Sequence, residues 1–130
     1  MKQIEVVAAI ISHDNKILCM QRAVNKYDYI SLKYEFPGGK IEEGETQQDA
    51  LKREIREELN MDIVVQDFFL TVNHEYPDFK LVMHSFLCNC SNTELVLNEH
   101  VAYRWLTKGN LLELDWAAAD VPIVQKIISG

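Results

Sequence analysis

No apolar run in the chain approaches the ~20 residues that a membrane-spanning helix needs. The longest runs, such as Val6–Ile11, are far shorter. The first residues, MKQIEVV, lack a basic stretch followed by a long apolar one, so no secretory leader is expected. Cysteine is scarce: Cys19, Cys88 and Cys90 are an odd number and cannot all pair within the chain, which fits a reducing, cytoplasmic setting. Basic residues are outnumbered, 13 Lys+Arg against 20 Asp+Glu, for a formal net charge of −7. That balance excludes a general scaffold for polymeric nucleic acid, whose phosphates attract basic surfaces. It leaves room for a small phosphorylated ligand, because a divalent cation inverts the local charge. No Gly-x-Ser-x-Gly elbow and no P-loop occurs, so serine-hydrolase and P-loop kinase chemistry lack their hardware. His13, His74, His84 and His100 show no metal-ligand spacing, and there is no repeat, linker or low-complexity tract.

What is present is an ordinary globular composition, 48% apolar and 25% charged over 130 residues. This is enough for one domain, 1–130, with its own core. Ile4–Ser12 reads as a strand, His13-Asp14-Asn15 as a turn and Lys16–Arg22 as a partner strand. Ala23–Tyr34 has no period and reads as a loop; Glu35–Gly39 is a breaker cluster. Thr46–Leu59 has helical spacing, and Thr46-x-x-Asp49 resembles a capping box at its start. Ile63–His74 and Phe79–Cys90 read as strands about a turn at Pro77-Asp78, where Cys88 and Cys90 share a face as small core residues. Glu94–Leu97 and Val101–Leu106 read as short strands, and Asp120–Ser129 as a closing helix with Asp120 as its N-cap. The order fits an α/β (α+β) fold in which helices pack on a mixed sheet.

The segment GGKIEEGETQQDALKREIREELNM, residues 38–61, carries the chemistry. Leu51, Ile55 and Leu59 form a buried stripe, and Glu54, Glu57 and Glu58 converge on an adjacent strip. Like charges at this spacing oppose folding by roughly 0.2–0.5 kcal/mol per pair. On spacing alone a solvated acidic face explains them. The flanking glycines change that reading, because they let a loop fold back and aim carbonyl oxygens at the helix. Carboxylates with a carbonyl make an all-oxygen site suited to magnesium or manganese. With Lys40 and Arg22 nearby as phosphate donors, this is apparatus for phosphoryl transfer.

Gly39-x5-Glu45-x7-Arg53-Glu54-Ile55-x-Glu57-Glu58-x-Asn60-Met61 resembles the Nudix box, with Asn60 where the family pattern has glycine. Asparagine is the next-best residue for a left-handed helix end. Glu35–Glu42, His74–Asp78 and Trp116–Pro122 resemble the MutT-type branch, so the similarity runs over most of the chain. The resemblance implies the Nudix fold, a mixed sheet sandwiched between helices in an α/β/α arrangement. It also implies a Mg2+-dependent (or Mn2+-dependent) pyrophosphohydrolase acting on oxidised guanine or cytidine-type nucleoside triphosphates. By the match, the Gly38 carbonyl, Glu54, Glu57 and Glu58 are metal ligands, and Glu54 or a partner carboxylate deprotonates the attacking water. Glu99 is the candidate for a further acid from a later loop, as catalyst and ligand. Gly39, Glu45 and Arg53 hold the loop against the helix.

Asp120 matches a base-contacting position. Phe79, Tyr76 and Trp116 are candidates to stack on the base, and Arg22, Lys33 and Lys40 to meet phosphate. The expected protein is a monomer in the cytoplasm, with no membrane or polymeric nucleic acid as partner. Two other readings stand beside this one: a Nudix hydrolase of nucleotide sugars or dinucleoside polyphosphates, and a nucleotide-sensing domain without hydrolysis.

Overall fold

The computed structural model describes residues 1–130. Strands β1 (Gln3–His13) and β2 (Lys16–Arg22) are joined at Asp14-Asn15, both with positive φ (49° and 63°). Two such residues make the tight hairpin turn that suits strand twist, and Asp and Asn tolerate it best after glycine. The two strands pair only beside the turn, at Ser12–Ile17 and His13–Lys16, and then part. The stretch 34–40 spans the gap between them. Its β3 (Tyr34–Glu35) pairs with β2, and its β4 (Gly38–Lys40) pairs with β1. What reads in sequence as a run of breakers is therefore two short strands in different halves of the sheet.

Helix α1 (Gln47–Leu59) starts at Thr46, whose Oγ1 accepts from the Asp49 amide at 3.1 Å, and ends at Asn60 in the left-handed region (φ 54°, ψ 38°). The long hairpin of β5 (Ile63–Glu75) and β6 (Lys80–Cys90) follows. Strand β6 lies parallel to β1 over ten residue pairs, from Gln3–Lys80 to Ser12–Asn89, which makes the sheet mixed. β7 (His100–Leu106) pairs with β2, and α2 (Val121–Ser129) closes the chain. The two faces of the sheet each carry a core. On one face Leu51, Ile55 and Leu59 of α1 pack on Val7, Leu18 and Met20. On the other Ile123 and Val124 of α2 pack on Ala8, Ile10 and Cys19. The sheet is thus sandwiched between the helices, as expected. All three cysteines are free, Cys19 and Cys88 fully buried, and burial pushes both thiols up to about 12. No helix is long and apolar enough to cross a membrane.

One expected strand is absent. Glu94–Leu97 is irregular and runs instead across the C-terminal end of α1. The Val96 amide donates to the Leu59 carbonyl (2.9 Å), the Asn98 amide to the Glu58 carbonyl (3.2 Å) and the Asn98 side chain to the Glu57 carbonyl (2.9 Å). A helix leaves its last carbonyls without intrahelical partners, and Val96 and Asn98 satisfy three of them. Local pattern could not show it, because the partner is another element's end.

Candidate active site

Where β1 and β2 part, a cavity of about 770 Å³ opens, lined by both strands, the 34–40 stretch, α1 and the segment before β7. Its size lies within the range of small-molecule sites. Glu54, Glu58 and Glu99 line one side; Asp120, Tyr76 and Phe79 line another; Arg22 and Lys40 are its cations among the expected residues.

Arg53 organises the acidic side. Its Nε and Nη2 bind both oxygens of Glu45, at 2.7 and 2.9 Å, and Nη2 also donates to the Lys40 carbonyl at 3.0 Å. Its Nη1 reaches Glu54 at 3.0 Å and Glu57 at 3.2 Å. A bidentate guanidinium–carboxylate pair fixes direction as well as distance. The loop 40–46 is thereby clamped to the helix, and Glu45 is held down to about 2, first by the Arg53 hydrogen bond and then by the Glu42 amide.

Gly39 backs onto Glu54 closely: a Cβ there would lie 2.2 Å from a Glu54 carboxylate oxygen. Gly38 backs onto β1, where a Cβ would lie 1.9 Å from the Val7 carbonyl oxygen. Neither glycine has positive φ, so the requirement at both is close approach.

The three helix acids do not share one setting. Glu58 is buried, with Oε1 lacking any partner; burial, and then its hydrogen bond with Glu54, pushes its carboxyl up to about 10. The charges of Glu35 and Glu99 add to that. Glu57 is half exposed, turned toward Arg53, and does not line the cavity. Arg53 Nη1 thus bonds Glu54 and Glu57 together at the edge of the acidic strip, while Glu58 sits behind it in the cavity wall. The donors fit a hard divalent cation. An orphaned, buried carboxyl oxygen and a second carboxylate pressed against a glycine are what such an ion would satisfy.

Asp120 is buried and does not cap α2. Its side chain makes no cap bond; Oδ2 instead accepts from the Phe36 amide at 2.9 Å, across the sheet. Burial, then the Glu35 charge, raises its carboxyl well above the usual range, against the Phe36 amide and Arg22.

Two of the aromatic expectations fall on core positions. Trp116 is stacked on Phe36 (4.8 Å), donates to the Leu111 carbonyl (2.7 Å) and does not line the cavity. Tyr76 lines the cavity but is buried, stacked on Tyr29 at 5.0 Å, with its hydroxyl accepting from the Ala119 amide. Phe79 is half-buried and lines the cavity, packed against Tyr27 at 6.0 Å and Tyr76 at 5.2 Å. Lys33 is bound to Asp115 at 2.7 Å, outside the cavity. Sequence reasoning missed Glu35 and His100, which line the cavity and bond each other at 2.9 Å. Glu35 lay unused in a motif already quoted; His100 showed no signal, because its partner is 65 residues away.

The chain matches the NUDIX domain over residues 1–127. It belongs to the Nudix hydrolase family, in the MutT-type branch. It is 36% identical over 129 residues to the CTP pyrophosphohydrolase of Escherichia coli (strain K12), covering 99% of this chain and 94% of that one. It is 30% identical over 128 residues to the 8-oxo-dGTP diphosphatase of the same organism, covering 98% of each. A solution structure of a DNA mismatch repair protein MutT from methicillin-resistant Staphylococcus aureus 252 is 43% identical with a TM-score of 0.76, covering 99% of this chain and 98% of that one. As a Nudix hydrolase the chain acts on nucleotide substrates. The clamped loop and acidic helix described above are its Nudix box.

Proposed function

We propose that this one-domain Nudix hydrolase, 1–130, splits cytidine-type or oxidised-guanine nucleoside triphosphates into monophosphate and pyrophosphate, with Mg2+ or Mn2+ as cofactor. The observation that carries the reading is the presence of two separate acid sites in one cavity. Glu54 and Glu58, beside the Gly38–Gly39 turn, suit a cation and phosphates. Asp120, across the cavity, suits a base edge. The CTP and 8-oxo-dGTP activities named for the two relatives support this choice of substrates.

In the reaction, water adds to a phosphorus atom of the triphosphate, an anhydride P–O bond breaks, and pyrophosphate leaves. When bound, the divalent ion would neutralise phosphate charge and lower the pKa of water. The Gly38 carbonyl, Glu54 and Glu58 would hold it, with Glu57 and Glu99 joining from the rim. Glu54 takes the water proton, and Arg53 keeps its carboxylate in place. Arg22 and Lys40 meet phosphate oxygens. Such a set works by positioning and by charge neutralisation. Asp120, when protonated, both donates and accepts, so it matches a base edge offering a donor beside an acceptor. Phe79 covers the base from the cavity wall.

The test is pyrophosphate release from a panel of ordinary, methylated and oxidised nucleoside triphosphates with magnesium, compared by kcat/KM. Cytidine-type or oxidised-guanine triphosphates ranking first supports the reading. Turnover confined to nucleotide sugars or dinucleoside polyphosphates, or binding without product at pH 7–9, refutes it.

A further inference from the structure

His100 has no part in the chemistry above, yet its place is highly specified. Its side chain is 4% exposed, its Nε2 lies 2.9 Å from Glu35 Oε2, and the other Glu35 oxygen lies 3.5 Å from Arg22 Nη1. Exposure rises along this row, from 4% at His100 through 21% at Glu35 to 39% at Arg22, so the row leads from the interior to the cavity.

The backbone sets it up. Glu35 is on β3 and His100 on β7, both of which pair with β2, and Arg22 ends β2 itself. Gln21 pairs with Ala102, so regular antiparallel register would set Val101 opposite Arg22. A bulge intervenes, and Arg22 pairs with His100. Bulges re-aim a side chain, and directly opposed residues share a face. The extra residue therefore exchanges an exposed valine for a buried imidazole beside Arg22. The hydrogen bond to Glu35 requires the proton on Nε2. Nδ1 is buried and has no partner, so Glu35 is the one group that fixes the ring.

We propose that His100 is a positioning residue: it holds the Glu35 carboxylate, which in turn aims Arg22 at an anionic oxygen of the nucleotide. This rests on the reading of the cavity as a nucleotide site. Without the His100 bond, Glu35 is free to rotate toward solvent, and Arg22 loses its aim. The contact exists in bound substrate and transition state alike, so its loss appears in KM more than in kcat.

The experiment measures kcat and KM for the best triphosphate of the panel, with magnesium, in four variants. His100→Ala is expected to raise KM about tenfold, the worth of one charge-assisted hydrogen bond, and to change kcat less than about threefold. His100→Gln, whose amide N–H replaces the Nε2–H, is expected to recover most of the loss. Glu35→Gln creates no cavity and leaves Arg22 facing an amide, so KM rises as in His100→Ala even where that variant folds poorly. In an Arg22→Ala background, His100→Ala is expected to add nothing further to KM. Unchanged KM in both His100→Ala and Glu35→Gln, equal additive losses with and without Arg22, or no recovery in folded His100→Gln each overturns the assignment. Wild-type protein that hydrolyses no triphosphate refutes the proposed function instead; the row is then judged by nucleotide Kd across the same variants.

Discussion

Adjacent glycines 38 and 39 meet different neighbours, so alanine at each position has a different consequence. In Gly38→Ala the new methyl would lie 1.9 Å from the Val7 carbonyl oxygen and 2.8 Å from its carbon. Both belong to the backbone of a central strand and cannot turn away. β4 must then move off β1, at a cost of about 1–3 kcal/mol by analogy with overpacked cores. That corresponds to a fall in Tm of about 4–12 °C for a chain of this size. In Gly39→Ala the methyl would meet only the Glu54 carboxylate, 2.2 Å from an oxygen and 2.4 Å from its carbon. A side-chain end can yield, and φ at Gly39 is ordinary, so Tm is expected to change by little. To regain normal contact the carboxylate must shift by about 1 Å, and misplacement on that scale costs about 10²-fold in rate. Thermal unfolding and pyrophosphate release, run on both variants, separate the two effects. A Gly39→Ala protein with near wild-type kcat/KM would show that the Glu54 carboxylate needs no fixed place. A Gly38→Ala protein of undiminished Tm would show that the β1–β4 contact is looser than described.

Two further outcomes follow from the ionisable groups. Glu45 is held down to about 2, below its ordinary value, so the stability it confers is present above about pH 4.5 and is lost as pH falls toward 2. Arg53→Ala should flatten that limb of a Tm-against-pH curve, and an unchanged limb would mean that the clamp is not what resists acid. Glu58 is displaced the other way, to about 10, so its burial weakens the fold as pH rises above its unfolded value. A cation bound there should therefore expel a proton. Magnesium titrations in buffers of different ionisation heat should show that release in wild type and not in Glu58→Gln; equal release in both would contradict it.

Sequence reached the elements whose causes are local. The Thr46 cap, the Asn60 left-handed end and the Asp14-Asn15 turn each depend on a residue and its near neighbours. The family resemblance implied that Glu45 and Arg53 hold the loop against the helix, and the two meet as a bidentate pair. What stayed hidden depends on partners far along the chain. Residues 94–98 look extended in isolation and instead serve carbonyls at the end of α1, through Val96 and Asn98. Asp120 looks like a cap and instead bonds the Phe36 amide, 84 residues away. Trp116 and Phe79 are both aromatic residues near a family motif, and only packing tells the core ring from the one that lines the cavity. Helical spacing put Glu54, Glu57 and Glu58 on one strip but could not show that Glu58 is buried while Glu57, paired with Arg53, stays exposed.

The most direct test of the account is whether Glu54 and Glu58 hold a divalent ion. Mn2+ binding, followed by the loss of its free electron paramagnetic resonance signal, should be saturable in wild type and reversed by Mg2+. The account predicts at least about tenfold weaker binding in Glu58→Gln, since removing a charged ligand costs more than one ordinary hydrogen bond. Equal Mn2+ affinity in wild type, Glu54→Gln and Glu58→Gln would contradict it.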